Sequence, residues 1–261
     1  MSTLQLRGLV KHFGGVRAVD GVDLEARSGE ILSVIGPNGA GKTTVFNIMT
    51  GFYHPDAGEM LFDGHSLVGL LPNQVTALGI SRTFQAVRLF SNMTVLENAM
   101  VGQHCRTRSG IFGAVLGLPK TRREEKEILE KAKDALAFFG NRLTGNRFNQ
   151  LARELAYADR RRLEIARAMA TEPKLLLLDE PAAGMTPKEK EEIVTLIGRL
   201  RDERGYAIIV IEHDMPVVKN VSDRVIALDY GKKIAEGTYA EVAGTERVIE
   251  AYLGARHTES A

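Results

Sequence analysis

The sequence predicts an α/β fold around a parallel sheet, and three observations carry that prediction. The run Ile31–Ile35 leads into Gly36-Pro37-Asn38-Gly39-Ala40-Gly41-Lys42-Thr43, and Thr44–Met49 follows as helix. Two further runs, Leu175–Leu178 and Ala207–Ile211, are apolar at every position. Each precedes a helical stretch, Pro187–Glu203 and Asp214–Val221. Strands apolar on both faces belong to a sheet covered on both faces, as parallel sheets are.

The remaining elements follow in order. Leu4–Leu9 alternates and reads as a strand. Val22–Ala26 and Ile31–Ile35 flank Arg27-Ser28-Gly29-Glu30, a strand–turn–strand pattern. Gly51–Gly58 holds Pro55 and Asp56 and reads as a turn, and Glu59–Phe62 before Asp63-Gly64 begins another β element. Val95–Met100 is short and helical, and Arg106–Thr121, with three glycines and Pro119, reads as loop. Arg122–Phe139 sets Ile128, Leu129, Ala132, Ala135, Leu136 and Phe139 on one helical stripe. Arg161–Thr171 reads as a second helix with Leu163, Ile165, Ala166 and Met169 inward. Arg224–Asp229 and Lys232–Ala235 form a hairpin across Tyr230-Gly231. The expected organisation is an α/β core of residues 1–85 and 171–255, a helical subdomain at 86–170, and a flexible tail at 256–261.

Composition narrows the class. At 44% hydrophobic and 26% charged, the 261-residue chain reads as an ordinary soluble protein. A net charge of +1 gives no global basic field for nucleic acid. The local basic runs Arg122-Arg123 and Arg160-Arg161-Arg162 read as solvated helix faces. Cys105 is the single cysteine, so no internal disulfide forms. The N-terminus shows no signal-peptide pattern. The longest apolar run, Ile111–Leu118, falls well short of the roughly 20 residues that span a bilayer. Work at a membrane would therefore need a membrane partner.

The chemistry is written in a few places. Gly36–Thr43 fits G-x-x-x-x-G-K-[ST], between a strand and a helix as the motif requires. Its glycines let successive N–H groups converge on one anion, and the helix start adds its dipole. Lys42 reaches outer phosphates, and the Thr43 hydroxyl suits Mg²⁺. Asp179-Glu180 end the strand of leucines: Asp179 fits the Mg²⁺ shell and Glu180 a general base for the attacking water. A solvated acidic start to a helix after Pro181 is the alternative. His213, in Glu212-His213-Asp214, follows the second apolar strand, and ligands gather beyond such strand ends. Gln85, in Thr83-Phe84-Gln85, stands where β-rich sequence gives way to helix, and its amide suits Mg²⁺ or water.

In this order, with Leu155-Ala156-Tyr157-Ala158-Asp159 before Ile165-Ala166-Arg167-Ala168, the chain resembles the nucleotide-binding domain of ABC transporters along nearly its whole length. Asp179–Gly184, Ile211–Met215, Arg162–Arg167, the long 103–121 segment and the ending Ala251-Tyr252-Leu253-Gly254 resemble the ATPase subunits of branched-chain amino-acid importers. Urea-import and lipopolysaccharide-export ATPases look alike.

The resemblance implies a P-loop NTPase fold with an N-terminal antiparallel β portion and an inserted helical subdomain. It implies ATP and Mg²⁺ as ligands and transport-coupled hydrolysis. Two such domains pair head to tail, as homo- or heterodimer, each ATP lying between one chain's phosphate loop and the other's signature segment. Gly36, Pro37, Asn38, Gly39, Ala40, Gly41, Lys42, Thr43 and Thr44 then bind phosphate, Phe13 stacks on adenine, and His213 senses the γ-phosphate. Gln85, Thr43 and Asp179 serve the metal, and Ala156 and Ala158 face the partner's nucleotide. Transmembrane permease subunits, indirectly a solute-binding protein, and a place on the cytoplasmic face of the membrane are implied too, with no nucleic acid. A strand-end core Phe is the alternative for Phe13.

Two departures from the family pattern stand out. The signature reads Leu-Ala-Tyr-Ala-Asp, so Ala156 lacks a hydroxyl for the γ-phosphate and Ala158 adds a methyl that resists φ > 0. Thr186 stands where Asp is frequent. The expectation is an asymmetric pair: this chain's own loop, Glu180 and His213 are intact, and the site it completes for its partner is weaker. A soluble ABC-type ATPase acting on nucleic acid or ribosomes and a small-molecule P-loop kinase are the competing classes. The single domain, the neutral charge and the signature segment weigh against them.

Overall fold

The computed structural model describes residues 2–106 and 119–258. The chain forms two compact units, Met1–Val75 with Lys174–Ala261, and Thr76–Pro173. The apolar run Ile111–Leu118, most of the 103–121 segment and the end of the expected tail lie outside the described residues. Among the described residues there are ten strands: β1 (Ser2–Phe13), β2 (Val16–Arg27), β3 (Ile31–Ile35), β4 (Ala57–Phe62), β5 (His65–Ser66), β6 (Ile80–Arg82), β7 (Leu175–Asp179), β8 (Ala207–Ile211), β9 (Arg224–Asp229) and β10 (Lys232–Gly237).

The first unit holds two sheets. One is antiparallel, in the order β2-β1-β4-β5. Its β1–β2 hairpin turns at Gly14-Gly15 with Phe13 opposite Val16, and Gly14 has φ 57°, as such tight turns require. Val22, Leu24 and Ala26 of β2 point inward between more exposed neighbours, the period-2 pattern of a sheet with one covered face.

In the other sheet the five strands of this unit run β10-β9-β3-β8-β7, with β9, β3, β8 and β7 parallel. Every residue of β3, β7 and β8 is buried, as the apolar runs predicted. A fully buried leucine stabilises by about 1.5–3 kcal/mol over an exposed one, so the four of β7 anchor that side of the sheet. Ser33 and Asp179 are the exceptions in composition, and Ser33 receives the Ser222 hydroxyl at 2.6 Å. The register sets Val34 beside Ile211 and Ile211 beside Asp179, so the carboxyl ends of three neighbouring strands finish level.

Helices close the first unit. Pro187–Arg204 buries Ile193, Leu196, Ile197 and Leu200, opens on a capping box of Thr186 with Glu189, and ends on Gly205 at φ 69°. The position of Thr186 is thus that of a helix cap. Two helices that sequence periodicity left unmarked, Tyr239–Ala243 and Glu246–Thr258, follow β10. Val242 and Val248 from them join Ile35, Val218, Val225 and Ala227 in one apolar cluster.

In the second unit the helices Val95–Val101, Pro119–Ala137 and Tyr157–Met169 pack on one another. The last of these corrects two expectations. It starts at Tyr157, four residues before the expected Arg161, because Ala156 already takes the extended N-cap conformation. Its basic run is also not a solvated face: Arg161 is 0% exposed and Arg162 8%. Arg161 pairs with buried Glu164 at 2.9 Å and donates to the carbonyls of Phe84 and Gln85 at 2.6 and 2.7 Å. Arg162 pairs with Asp159 at 2.7 Å. Each arginine is buried because an acid three residues away on the same helix neutralises it.

Candidate nucleotide site

The loop after β3 is shaped by steric necessity. Gly36 has φ 149° and Gly41 φ 99°. A Cβ on Gly36 would lie 2.2 Å from the Leu228 carbonyl oxygen of β9, and one on Gly41 would lie 2.4 Å from that of Ala18 in β2. The loop thus presses against both sheets, and only glycine fits at either end. Gly39, at φ 80°, has open space around it and is needed for backbone conformation alone. Helix Lys42–Met49 starts directly at Gly41, which leaves its first N–H groups directed into the loop.

Lys42 curls back over the loop, its Nζ 2.6 Å from the Gly36 carbonyl and 2.9 Å from that of Pro37. Burial holds its ammonium below the usual lysine value, while the charges of Glu180 and Asp179 pull the other way. Those two carboxylates therefore share the Lys42 neighbourhood, as expected of strand-end acids around one site. Thr43 is exposed at the same helix start.

Asp179 is 3% exposed at the end of β7. Glu180 follows with φ 47°, a left-handed backbone rare for a side chain of its kind. Two bonds fix it there: its N–H reaches the Ile211 carbonyl of β8, and its own carbonyl accepts from Ala183. The Glu180 carboxylate lies 3.6 Å from His213 Nδ1. The imidazole is exposed, so pairing with Glu180 orients it without enclosing it.

Glu212 was absent from the sequence-derived site, although its neighbour His213 was named. Its buried carboxylate accepts from the N–H of Ala182 at 2.8 Å and of His213 at 3.2 Å. It ties the segment after Glu180 to the segment bearing His213. Burial pushes its carboxyl up, against the pull of those N–H donors. Asp214 caps helix Met215–Val221 and pairs with Lys190. The signal that marked Glu212 in the sequence was an acid directly after a fully apolar strand, the same signal that marked Asp179.

Phe13 ends β1 and is 43% exposed, with Tyr53 edge-on at 5.1 Å between ring centroids. It is not a core residue. Lys42, Thr43, Asp179, Glu180 and His213 all belong to the first unit, at the carboxyl ends of β3, β7 and β8.

Gln85, Ala156 and Ala158 belong to the second unit. Gln85 is exposed, and Arg161 holds its carbonyl. Ala156 is the exposed N-cap of helix Tyr157–Met169 and makes no side-chain cap. Ala158 lies inside the first helical turn, buried, and not among the residues of positive φ. The expected conflict between its methyl and a left-handed backbone does not arise, because the helix has already begun at Tyr157.

Comparison with known proteins fits this geometry. A family model described as ABC transporter matches residues 19–183. A second, described as branched-chain amino acid ATP-binding cassette transporter, matches residues 232–258. LivG of Salmonella typhimurium, a high-affinity branched-chain amino acid transport ATP-binding protein, is 48% identical over 251 residues, which cover 96% of this chain and 97% of that protein. BraF of Pseudomonas aeruginosa, which bears the same description, is 43% identical, with 96% and 97% covered. Among solved structures, the ADP conformation of MJ1267, an ATP-binding cassette of an ABC transporter, superposes with a TM-score of 0.84 at 33% identity, covering 97% of this chain and 99% of that one. A dimeric post-hydrolysis state of the cassette MJ0796 bound to ADP and Pi gives 0.73 at 27% identity, covering 90% and 98%.

Proposed function

The chain belongs to the ABC transporter family, and on that premise we propose that it is the ATP-hydrolysing subunit of an importer for branched-chain amino acids. One observation carries the catalytic reading: the phosphate loop, Asp179, Glu180 and His213 share one end of the parallel sheet. The cargo class rests on the relatives' names and on the matched segment at 232–258.

In this reading the phosphates lie over the N–H groups of Gly36–Thr44, and Lys42 turns from its two loop carbonyls to the outer phosphates. Adenine stacks on the exposed ring of Phe13. The Thr43 hydroxyl and the Asp179 carboxylate are hard oxygen donors of the kind Mg²⁺ takes, and Gln85 is assigned to the same cation. Bound there, Mg²⁺ neutralises charge on the phosphate oxygens. Glu180 accepts a proton from the attacking water, and His213, oriented by Glu180, donates to the γ-phosphate.

Two chains of this type pair head to tail, with Ala156 and Ala158 at the partner's nucleotide. The pair docks on permease subunits at the cytoplasmic face of the membrane, and a solute-binding protein delivers the cargo for import. Among the described residues no helix is long and apolar enough to cross a membrane, which supports a role for separate permeases. Nucleic acid has no part in the reading.

Replacing Glu180 tests the chemistry. Glu180→Gln is expected to lower ATP turnover by about 100-fold or more while ATP still binds. Turnover equal to that of the wild type would remove Glu180 from the mechanism. ATP-driven uptake of labelled leucine by the assembled transporter checks the cargo, and uptake that ignores leucine, isoleucine and valine would overturn it.

A further inference from the structure

We infer that Tyr252 is a positioning residue for nucleotide binding, acting from the C-terminal helix through the first glycine of the phosphate loop. The inference rests on the reading of Gly36–Thr44 as the seat of the nucleotide. The N–H of Gly36 donates to the Tyr252 hydroxyl at 2.8 Å. Gly36 is the hinge at which β3 becomes loop, and the Leu228 carbonyl of β9 blocks it from one side. Its own carbonyl receives Lys42 Nζ at 2.6 Å. The backbone on either side of this hinge is therefore held by a side chain, Tyr252 at the N–H and Lys42 at the carbonyl. A phosphate competes with that carbonyl for Lys42. Once Lys42 turns away, Tyr252 is the side chain that keeps the hinge in register.

Apolar packing places the phenol. Tyr252 lies against the cluster formed by Ile35, Val225, Ala227, Val242 and Val248, so the strand that feeds the loop and the helix that bears the hydroxyl share one core. Burial pushes its ionisation up, which keeps the hydroxyl neutral with a proton still to donate. Toward its start, the same helix and the outer side of the loop flank a cleft of about 480 Å³ lined by Pro37, Asn38, Tyr230, Arg247 and Glu250. The helix is thus tied to the loop at its hinge and stands off from it at its tip. Displacement of helix Glu246–Thr258 reaches the phosphate-binding amides through Tyr252. The C-terminal segment thereby becomes part of the nucleotide machinery.

The experiment compares wild type, Tyr252→Phe and Tyr252→Met in the full chain. It reads the ATP and ADP dissociation constants with a fluorescent nucleotide, KM and kcat for ATP, and the unfolding midpoint. Losing the hydroxyl is expected to raise Kd and KM about threefold to tenfold in both variants, the worth of one net hydrogen bond, with kcat within about twofold. A merely structural tyrosine would lower the unfolding midpoint and leave Kd and KM at wild-type values, and that result overturns the inference. Wild-type protein that binds no ATP would overturn the nucleotide reading itself, which separates the two failures.

Discussion

Arg161 shows how one residue can organise a whole segment. Its guanidinium is fully buried, paired with Glu164, and bonded to the carbonyls of Phe84 and Gln85. Glu164 in turn accepts from the N–H of Phe84 and Arg88, both at 3.3 Å. The pair thus holds residues 84–88, a segment outside strand and helix. Arg161→Met is expected to destabilise the protein by about 3–5 kcal/mol in denaturant unfolding, because Glu164 is left charged and buried. Replacing Glu164 as well should recover much of that loss, and a double variant no better than Arg161→Met would contradict the account. None of this was legible in the sequence. Helical spacing places an arginine on a face, but the face is covered by backbone carbonyls some seventy positions away, and no local pattern announces them. Lys42, Asp179, Glu180 and His213 were legible because each sits directly at a strand end or helix start, where local sequence dictates both conformation and exposure.

At the scale of elements, helix starts decide several outcomes. Thr94, Thr186 and Thr238 each form a capping box with the glutamate three residues on. That T-x-x-E signal was present for the unmarked helix Tyr239–Ala243, whose short length hid its periodicity. Ala156 is the uncapped contrast. Ala156→Ser is expected to stabilise the protein by about 0.5–2 kcal/mol by capping helix Tyr157–Met169. The same hydroxyl should raise ATP turnover at the partner's site by about tenfold in the assembled transporter. An unchanged unfolding midpoint would mean that the hydroxyl does not cap.

Glu212, which ties the segment after Glu180 to the one bearing His213, carries a pH signature. Burial raises the Glu212 carboxyl above its ordinary 4.5, so between that value and the raised one the folded protein holds a proton that the unfolded chain has released. Stability should therefore fall as pH rises through that interval and level off above it. Glu212→Gln should flatten this part of the stability–pH curve. A curve that keeps its slope would assign the dependence to another group.

For the whole molecule, parallel strand order and residue chemistry converge. Buried strands of leucine, isoleucine and valine were readable because each short apolar run alternates with a helical stretch, the order of a parallel sheet covered on both faces. The full length of β1 and β2 was not. Their outward residues are charged, and the turn at Gly14-Gly15 rather than a hydrophobic run marks the hairpin. Nucleotide binding should act on the folded chain by mass action. At a hundredfold excess over Kd, ATP should add about 2.7 kcal/mol to the unfolding free energy. That gain should shrink in Lys42→Ala, and an equal gain would place the nucleotide elsewhere.

Gly36 and Gly41 carry one more consequence. Each lets the backbone of a different sheet approach, β9 at one and β2 at the other, at distances no Cβ tolerates. Alanine at either should cost at least about 1–2 kcal/mol from the left-handed backbone at Gly41 or from contact at Gly36, whatever is bound. A descendant that abandoned ATP would therefore keep both glycines merely to stay folded. For judging whether a related chain still burns nucleotide, these glycines are poor witnesses. Thr43, exposed at the helix start, is free to drift once its ligand is gone, and its loss would be the earlier sign of retirement.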